Sequence, residues 1–321
     1  MKFDIFVIPF SAGLAFLFIY VSIKFARWVM VLNTDDKLML RKHLFSINLW
    51  HSAKEIFQEA LLHKRIFKSN PLLGYMHMSL AFGWLLLIVF GNIEIKFYSN
   101  YTVNPPYVPI FLRFFETSPS PHFFGKGSNF IMDLLLLFIL TGVGLAITKR
   151  YNAKAFGLKK TTIHNQFDKT ALAALWCIFP LRLLAESFTS GLFHNGSFLT
   201  ANFGNLFATF LPIQTLMYPA WWAYSIALGI FFIALPFSRY MHIPSEIMLI
   251  IFRNAGLKAG KENSSFAQAE IHSCSRCGIC IDACQLASSL NECTIQPSYF
   301  IRDVRYNHLK PSTTENCLMC G

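Results

Sequence analysis

Six cysteines near the C-terminal end of the chain carry its strongest chemical signal. Cys274, Cys277, Cys280 and Cys284 stand at the spacing C-x2-C-x2-C-x3-C, and Cys317 and Cys320 open a second copy just before Gly321. Thiolates suit soft iron, and this close spacing lets one loop supply three ligands to a cube corner, so the run predicts a cubane [4Fe-4S] cluster. The fourth cysteine of such a run ligates the other cluster. Cys274, Cys277 and Cys280 therefore group on one cluster, and Cys284 joins Cys317 and Cys320 on a second. Each set lacks one cysteine in the sequence as it stands. The expectation is an intact parent with two clusters, of which this chain holds at most one. Zinc is the alternative, since two C-x2-C pairs can make a four-thiolate site; the 2-2-3 spacing suits a cluster better. Cys293 is a spare thiol, and Gln285 takes the place of the proline that usually follows the fourth cysteine.

Histidines are the next candidates, because membrane cytochromes hold heme between two neutral imidazoles on facing helices. Eight of the ten fall in loops or tails. His77 and His242 remain, one near the start of an apolar stretch and the other just past the end of one. Antiparallel spans bring such positions to similar depth, where a polar residue is rare unless it has a function. Interfacial histidines bonded to backbone or lipid are the alternative reading. Arg182 and Glu186, four residues apart inside another apolar stretch, share a helical face. They are either a quinol site, with Glu186 accepting the proton, or a plain ion pair. Glu94 and Asp133 are expected at the interface.

These residues must be positioned by membrane-spanning helices. Hydrophobic residues make up 54% of the chain and charged residues 14%, with 34 phenylalanines; soluble domains carry about 25% charge. Five stretches are long enough to cross a bilayer: about 5–32, 71–96, 130–148, 170–189 and 217–237. The first is too long for the apolar core of a signal peptide. Basic residues crowd the loops between spans one and two and between three and four, whereas 190–216 has no Lys or Arg. The positive-inside rule then puts the N-terminus outside and the C-terminus in the cytoplasm. The net charge of +11 follows from these loops and argues for no nucleic-acid partner. Seven of the eight cysteines follow residue 270, as metal ligation on a reducing side requires. Cys177, alone in span four, reads as a small buried hydrophobe. The first loop reads as partly helical and amphipathic, through Ile47, Trp50, Ile56, Phe57, Leu61 and Leu62.

The predicted architecture is an all-α membrane bundle of five transmembrane helices, N-out and C-in, followed by a small, incomplete, ferredoxin-like dicluster domain in the cytoplasm. Its parts are a transmembrane region 1–256, a linker 257–268 and a cluster region 269–321.

Five N-out spans, His77 and His242, Trp221-Trp222 and the later Pro236-x-Ser-Arg-x-x-His242 resemble the cytochrome b subunit of respiratory nitrate reductase. They also resemble the membrane subunit of heterodisulfide reductase, and the cysteine runs resemble the iron–sulfur subunit of that group. The resemblance implies a fusion of the two, a membrane-bound oxidoreductase subunit. It would carry electrons between quinone or menaquinone, heme b and [4Fe-4S] clusters. A soluble cysteine-rich iron–sulfur protein would hold the substrate-converting site. The location implied is a prokaryotic cytoplasmic (inner) membrane. Two-heme relatives carry a second histidine eighteen residues before the one matched by His242, and here Tyr224 stands there. Leu87 stands where the second histidine of span two would be. One heme b is therefore implied, on His77 and His242. The competing reading is a membrane-anchored ferredoxin module for docking or assembly, without heme. A transporter would need paired broken helices and repeats, which the sequence lacks.

Overall fold

The computed structural model describes residues 3–98, 105–118, 123–157, 164–258, 264–275, 297–306 and 308. Among them there is no β-strand. The helices run in the order α1 (Ile8–Val31), α2 (Thr34–Leu44), α3 (Asn48–Glu55), α4 (Lys64–Ser69), α5 (Pro71–Tyr98), α6 (Leu112–Phe115) and α7 (Phe123–Tyr151). There follow α8 (Gln166–Phe193), α9 (Phe198–Ala208), α10 (Ile213–Ala234), α11 (His242–Asn254), α12 (Ser264–Ser273) and α13 (Pro297–Arg305).

Five segments are long and apolar enough to cross a membrane: Ile5–Val31, Pro71–Lys96, Lys126–Tyr151, Gln166–Phe193 and Ile213–Phe237. These match the five expected stretches. A helix apolar on all sides, with Phe18, Ile19 and Ile23 of α1 left exposed, belongs in lipid, where its backbone bonds are all satisfied internally. Spans three to five begin about four residues earlier than hydropathy indicates, because the helical ladder runs into polar first turns. At α8 the start is a reciprocal cap: the Asp168 N–H donates to Asn165 Oδ1 (2.7 Å) and the Asn165 N–H to Asp168 Oδ2 (3.3 Å). Cys177, expected to be buried, lies on the exposed face of α8. On a membrane span that face meets acyl chains, so a small hydrophobe is at home there.

The chain divides into two compact units. The first comprises Met1–Leu17, Ile66–Ile147 and Lys169–Ala234. Its helices approach through small residues, as helices in lipid do. A Cβ on Gly229 would lie 2.5 Å from the Pro9 carbonyl oxygen, and one on Gly204 2.5 Å from that of Ser187. Aromatic rings fill this unit: Phe6 meets Phe111 edge-on at 5.1 Å and Phe114 at 4.6 Å, and Trp84 meets Phe179 at 5.3 Å.

The second unit comprises Phe18–Arg65, Thr148–Asp168 and Leu235–Gly321. Its apolar core joins Trp28, Leu32, Leu40, Phe252, Leu257, Phe266 and Ala269. The loop after α1 is helical as α2 and α3, α2 being capped by Asn33 Oδ1, which accepts the Asp36 N–H at 2.7 Å. Ser52 and Glu55 of α3 hold the end of α11, accepting from Asn254 Nδ2 at 3.1 and 2.9 Å. Glu55 also pairs with Arg253.

Candidate functional site

In the second unit, Pro236 and the polar residues after it break the α10 ladder and turn the chain through a short 3-10 segment, Arg239–Met241, into α11. Ser238 caps that segment, accepting the Tyr240 N–H (3.2 Å) and donating to the Leu235 carbonyl (3.0 Å). His242 opens α11. Its Nδ1–H donates to the Arg239 carbonyl at 2.7 Å. A carbonyl can only accept, so Nδ1 carries the proton and Nε2 keeps its lone pair. Burial pushes the His242 pKa down to about 3, the Arg239 carbonyl opposing and the charges of Arg239, Arg305 and His63 adding to the shift. The imidazole is therefore neutral at physiological pH. A neutral ring with one nitrogen tied to a backbone carbonyl is the usual state of a metal-ligating histidine, so His242 fits an axial heme ligand.

Asp168 organises this turn from α8. It is fully buried, and its Oδ1 accepts the Arg239 N–H at 2.6 Å. The Arg239 residue is thus held at its N–H by Asp168 and at its carbonyl by His242. Sequence reading did not single out Asp168; a carboxylate at the first turn of a helix reads as an ordinary cap, and its second bond spans 71 residues.

His77 lies in α5 of the first unit, half-buried, with Nε2 buried. His77 and His242 therefore belong to different compact units.

Of the cysteine runs, Cys274 falls within the described residues; Cys277, Cys280, Cys284, Cys317 and Cys320 lie outside them. Cys274 is a half-buried free thiol just past the end of α12. Two residues before it, His272 donates from Nδ1 to the Gln268 carbonyl (2.8 Å) and packs edge-on to Trp28 at 5.5 Å. Burial lowers the His272 pKa to about 4. Among the described residues no group of three or more His, Cys, Asp or Glu side chains is assembled as a metal site.

The first unit encloses a set of ionic groups. Arg182 Nε donates to Glu186 Oε1 at 2.9 Å, with both side chains buried, as the four-residue spacing requires. Glu94 was expected at the interface but is 1% exposed. Arg113 pairs with it at 3.4 Å, and Ser128 donates to it at 3.4 Å. Asp133 is equally buried: it accepts the Leu199 and Thr200 N–H groups at 2.9 and 3.0 Å and the Thr200 hydroxyl at 3.1 Å. Both carboxylates sit in these positions because other chain segments close over them. Arg113 comes from the short helix α6 in a Pro- and aromatic-rich segment, and it also donates to the Asn195 carbonyl. Asn195 returns bonds to the carbonyls of Arg113 (3.3 Å) and Glu116 (3.0 Å). Tyr224 is buried against Phe111 and Trp221, at 5.6 and 6.1 Å between rings. Trp221 donates to the Thr189 hydroxyl at 2.9 Å.

No family model matches the chain, no curated protein matches it, and no solved structure matches it.

Proposed function

We propose that this chain is a membrane-bound electron-transfer subunit of a quinone-linked oxidoreductase. Quinol delivers electrons on the membrane side, and a soluble cysteine-rich iron–sulfur protein receives them. His77 and His242 are the two axial ligands of one heme b. Cys274, Cys277 and Cys280, with Cys284, Cys317 and Cys320, are ligands to [4Fe-4S] clusters. When bound, heme and clusters supply one-electron carriers that the twenty standard side chains cannot. The N-terminus faces outward and the cluster region lies in the cytoplasm of a prokaryote, at its inner membrane.

The observation that carries this reading is His242: a half-buried, neutral imidazole whose Nδ1 proton is committed to a backbone carbonyl. The cysteine spacing supports the cluster half. The chain's own residues have separable tasks. Asp168 and Ser238 hold the His242 turn, which fixes the direction of Nε2. Glu186 accepts a proton as quinol is oxidised, and Arg182 orients its carboxylate.

The test is the absorption spectrum of the purified membrane protein. Dithionite reduction should develop a b-type α-band, and His242→Ala should abolish it while membrane insertion persists. A wild-type protein without the band leaves the membrane-anchored ferredoxin reading instead.

A further inference from the structure

A surface helix in water turns its apolar stripe toward the protein and its polar face outward. Helix α3 and the π turn that follows it, Ile56–Leu61, do the reverse. Their polar residues face inward. Ser52 is fully buried; its hydroxyl meets His43 Nε2 of α2 at 2.8 Å and accepts from Asn254 Nδ2 of α11 at 3.1 Å. Glu55 pairs with Arg253 and accepts from Asn254 at 2.9 Å. Glu59 pairs with Arg65 at 3.5 Å. The apolar residues face outward. Ile47, just before α3, is 86% exposed, Trp50 71% and Phe57 45%. With the exposed Ala53 these positions recur every three or four residues and form one stripe. Phe45, in the corner between α2 and α3, is also 86% exposed. A contiguous apolar stripe of this kind marks an apolar contact.

The surroundings of α3 within the second unit identify that contact. Span one ends at Val31, and its last turn leaves Met30 and Val31 64% exposed, as a face toward acyl chains. Helix α2 begins three residues later and does not lead away, because Leu40 shares a core with Trp28 and Leu32. Phe252 of α11 joins the same core, and α3 is bonded to the end of α11. Exposed cations accompany the stripe: Lys54, four residues on from Trp50, and Arg41 and Lys42 near the end of α2. Tryptophan among apolar residues, with Lys and Arg beside them, is the composition of a helix in the bilayer interface.

We propose that α3 is an interfacial helix, lying along the membrane surface beside the end of span one. Ile47, Trp50 and Phe57 enter the boundary between headgroups and acyl chains, about 5–10 Å deep. Arg41, Lys42 and Lys54 meet anionic headgroups. The proposal needs neither heme nor cluster. Its consequence for the unit is positional: through Ser52 and Glu55 the helix ties the end of α11 to the level of the membrane surface, and α11 opens on His242.

The experiment uses the full chain in vesicles of phosphatidylethanolamine and phosphatidylglycerol. Trp50 is one of six tryptophans, and its share of the fluorescence is the difference between wild type and Trp50→Phe. Lipid brominated high on the acyl chain should quench that share more than lipid brominated at the chain end, and acrylamide in the water should quench it little. Ile47→Asp combined with Phe57→Asp, both at exposed positions, should raise acrylamide quenching severalfold. Strong acrylamide quenching of wild type without quenching by brominated lipid would mean a face open to water and to a soluble partner. Protection from both quenchers would mean that a second copy of the chain covers it. Either result, or an unchanged response in the double variant, overturns the proposal.

Discussion

At the scale of single residues, the chemistry turns on where protons and charges are held. His242 is kept neutral by burial, and this has a consequence for acid stability. Its ordinary pKa near 6.5 falls to about 3 in the folded chain. Between those values the unfolded chain binds a proton that the folded chain refuses, so stability falls as pH drops from 6.5 toward 3 and is flat above 6.5. Each pH unit in that window weakens the fold by up to about 1.4 kcal/mol from this group. His272, lowered to about 4 by burial, adds in the same direction. Thermal stability of the protein in nanodiscs, measured from pH 7 to pH 4, should fall steadily. In heme-free protein, His242→Phe, which has no proton to take up, should reduce that slope and leave the His272 part. An unchanged slope would mean that the ring is solvated. The cysteine spacing and the place of His242 just past an apolar stretch were legible from sequence, since residue type and local spacing are properties of short segments. Asp168 and Arg305 were not: one accepts the Arg239 N–H and the other donates to the Cys274 carbonyl, each tens of residues away, and nothing in its own neighbourhood marks it.

At the scale of helices, buried carboxylates do structural work that hydropathy does not reveal. Asp133 of α7 accepts two N–H groups from the first turn of α9 and the hydroxyl of Thr200. It caps that helix from outside, where unpaired N–H groups and the helix dipole both favour a negative charge. Asp133→Ala should cost about 1–2 kcal/mol, as loss of a good cap does. Asp133→Asn, which keeps an acceptor, should cost less. Amide exchange at residues 198–200 is the direct readout, and equal exchange in both variants and wild type would remove the capping role. Five spans were readable because about 20 apolar residues leave a chain little choice in lipid. Their first turns were less readable, since hydropathy ends before hydrogen bonding does. The burial of Glu94 and Asp133 was hidden for the same reason that Asp168 was: segments distant in sequence close over them.

At the scale of the whole molecule, the proposal separates electron entry from electron exit, and the two can be tested apart. Glu186→Gln should slow reduction of the protein by a quinol about a hundredfold, the low end of what a positioned proton acceptor contributes. Dithionite, which needs no such acceptor, should reduce it as in wild type. On the proposed reading the heme content should be near one per chain, since His77 and His242 make a single candidate pair of axial ligands. Equal slowing of both reactions would reassign Arg182 and Glu186 to a plain ion pair. The all-helical, five-span character and the cysteine spacing are local properties, written in composition and in the order of a few residues. The folded chain alone brings Asp168 to the His242 turn, Arg305 to Cys274, and Arg113 to Glu94. Those contacts join residues separated by 19 to 71 positions. They exist because a buried charge or an unpaired backbone group must find a partner wherever packing provides one.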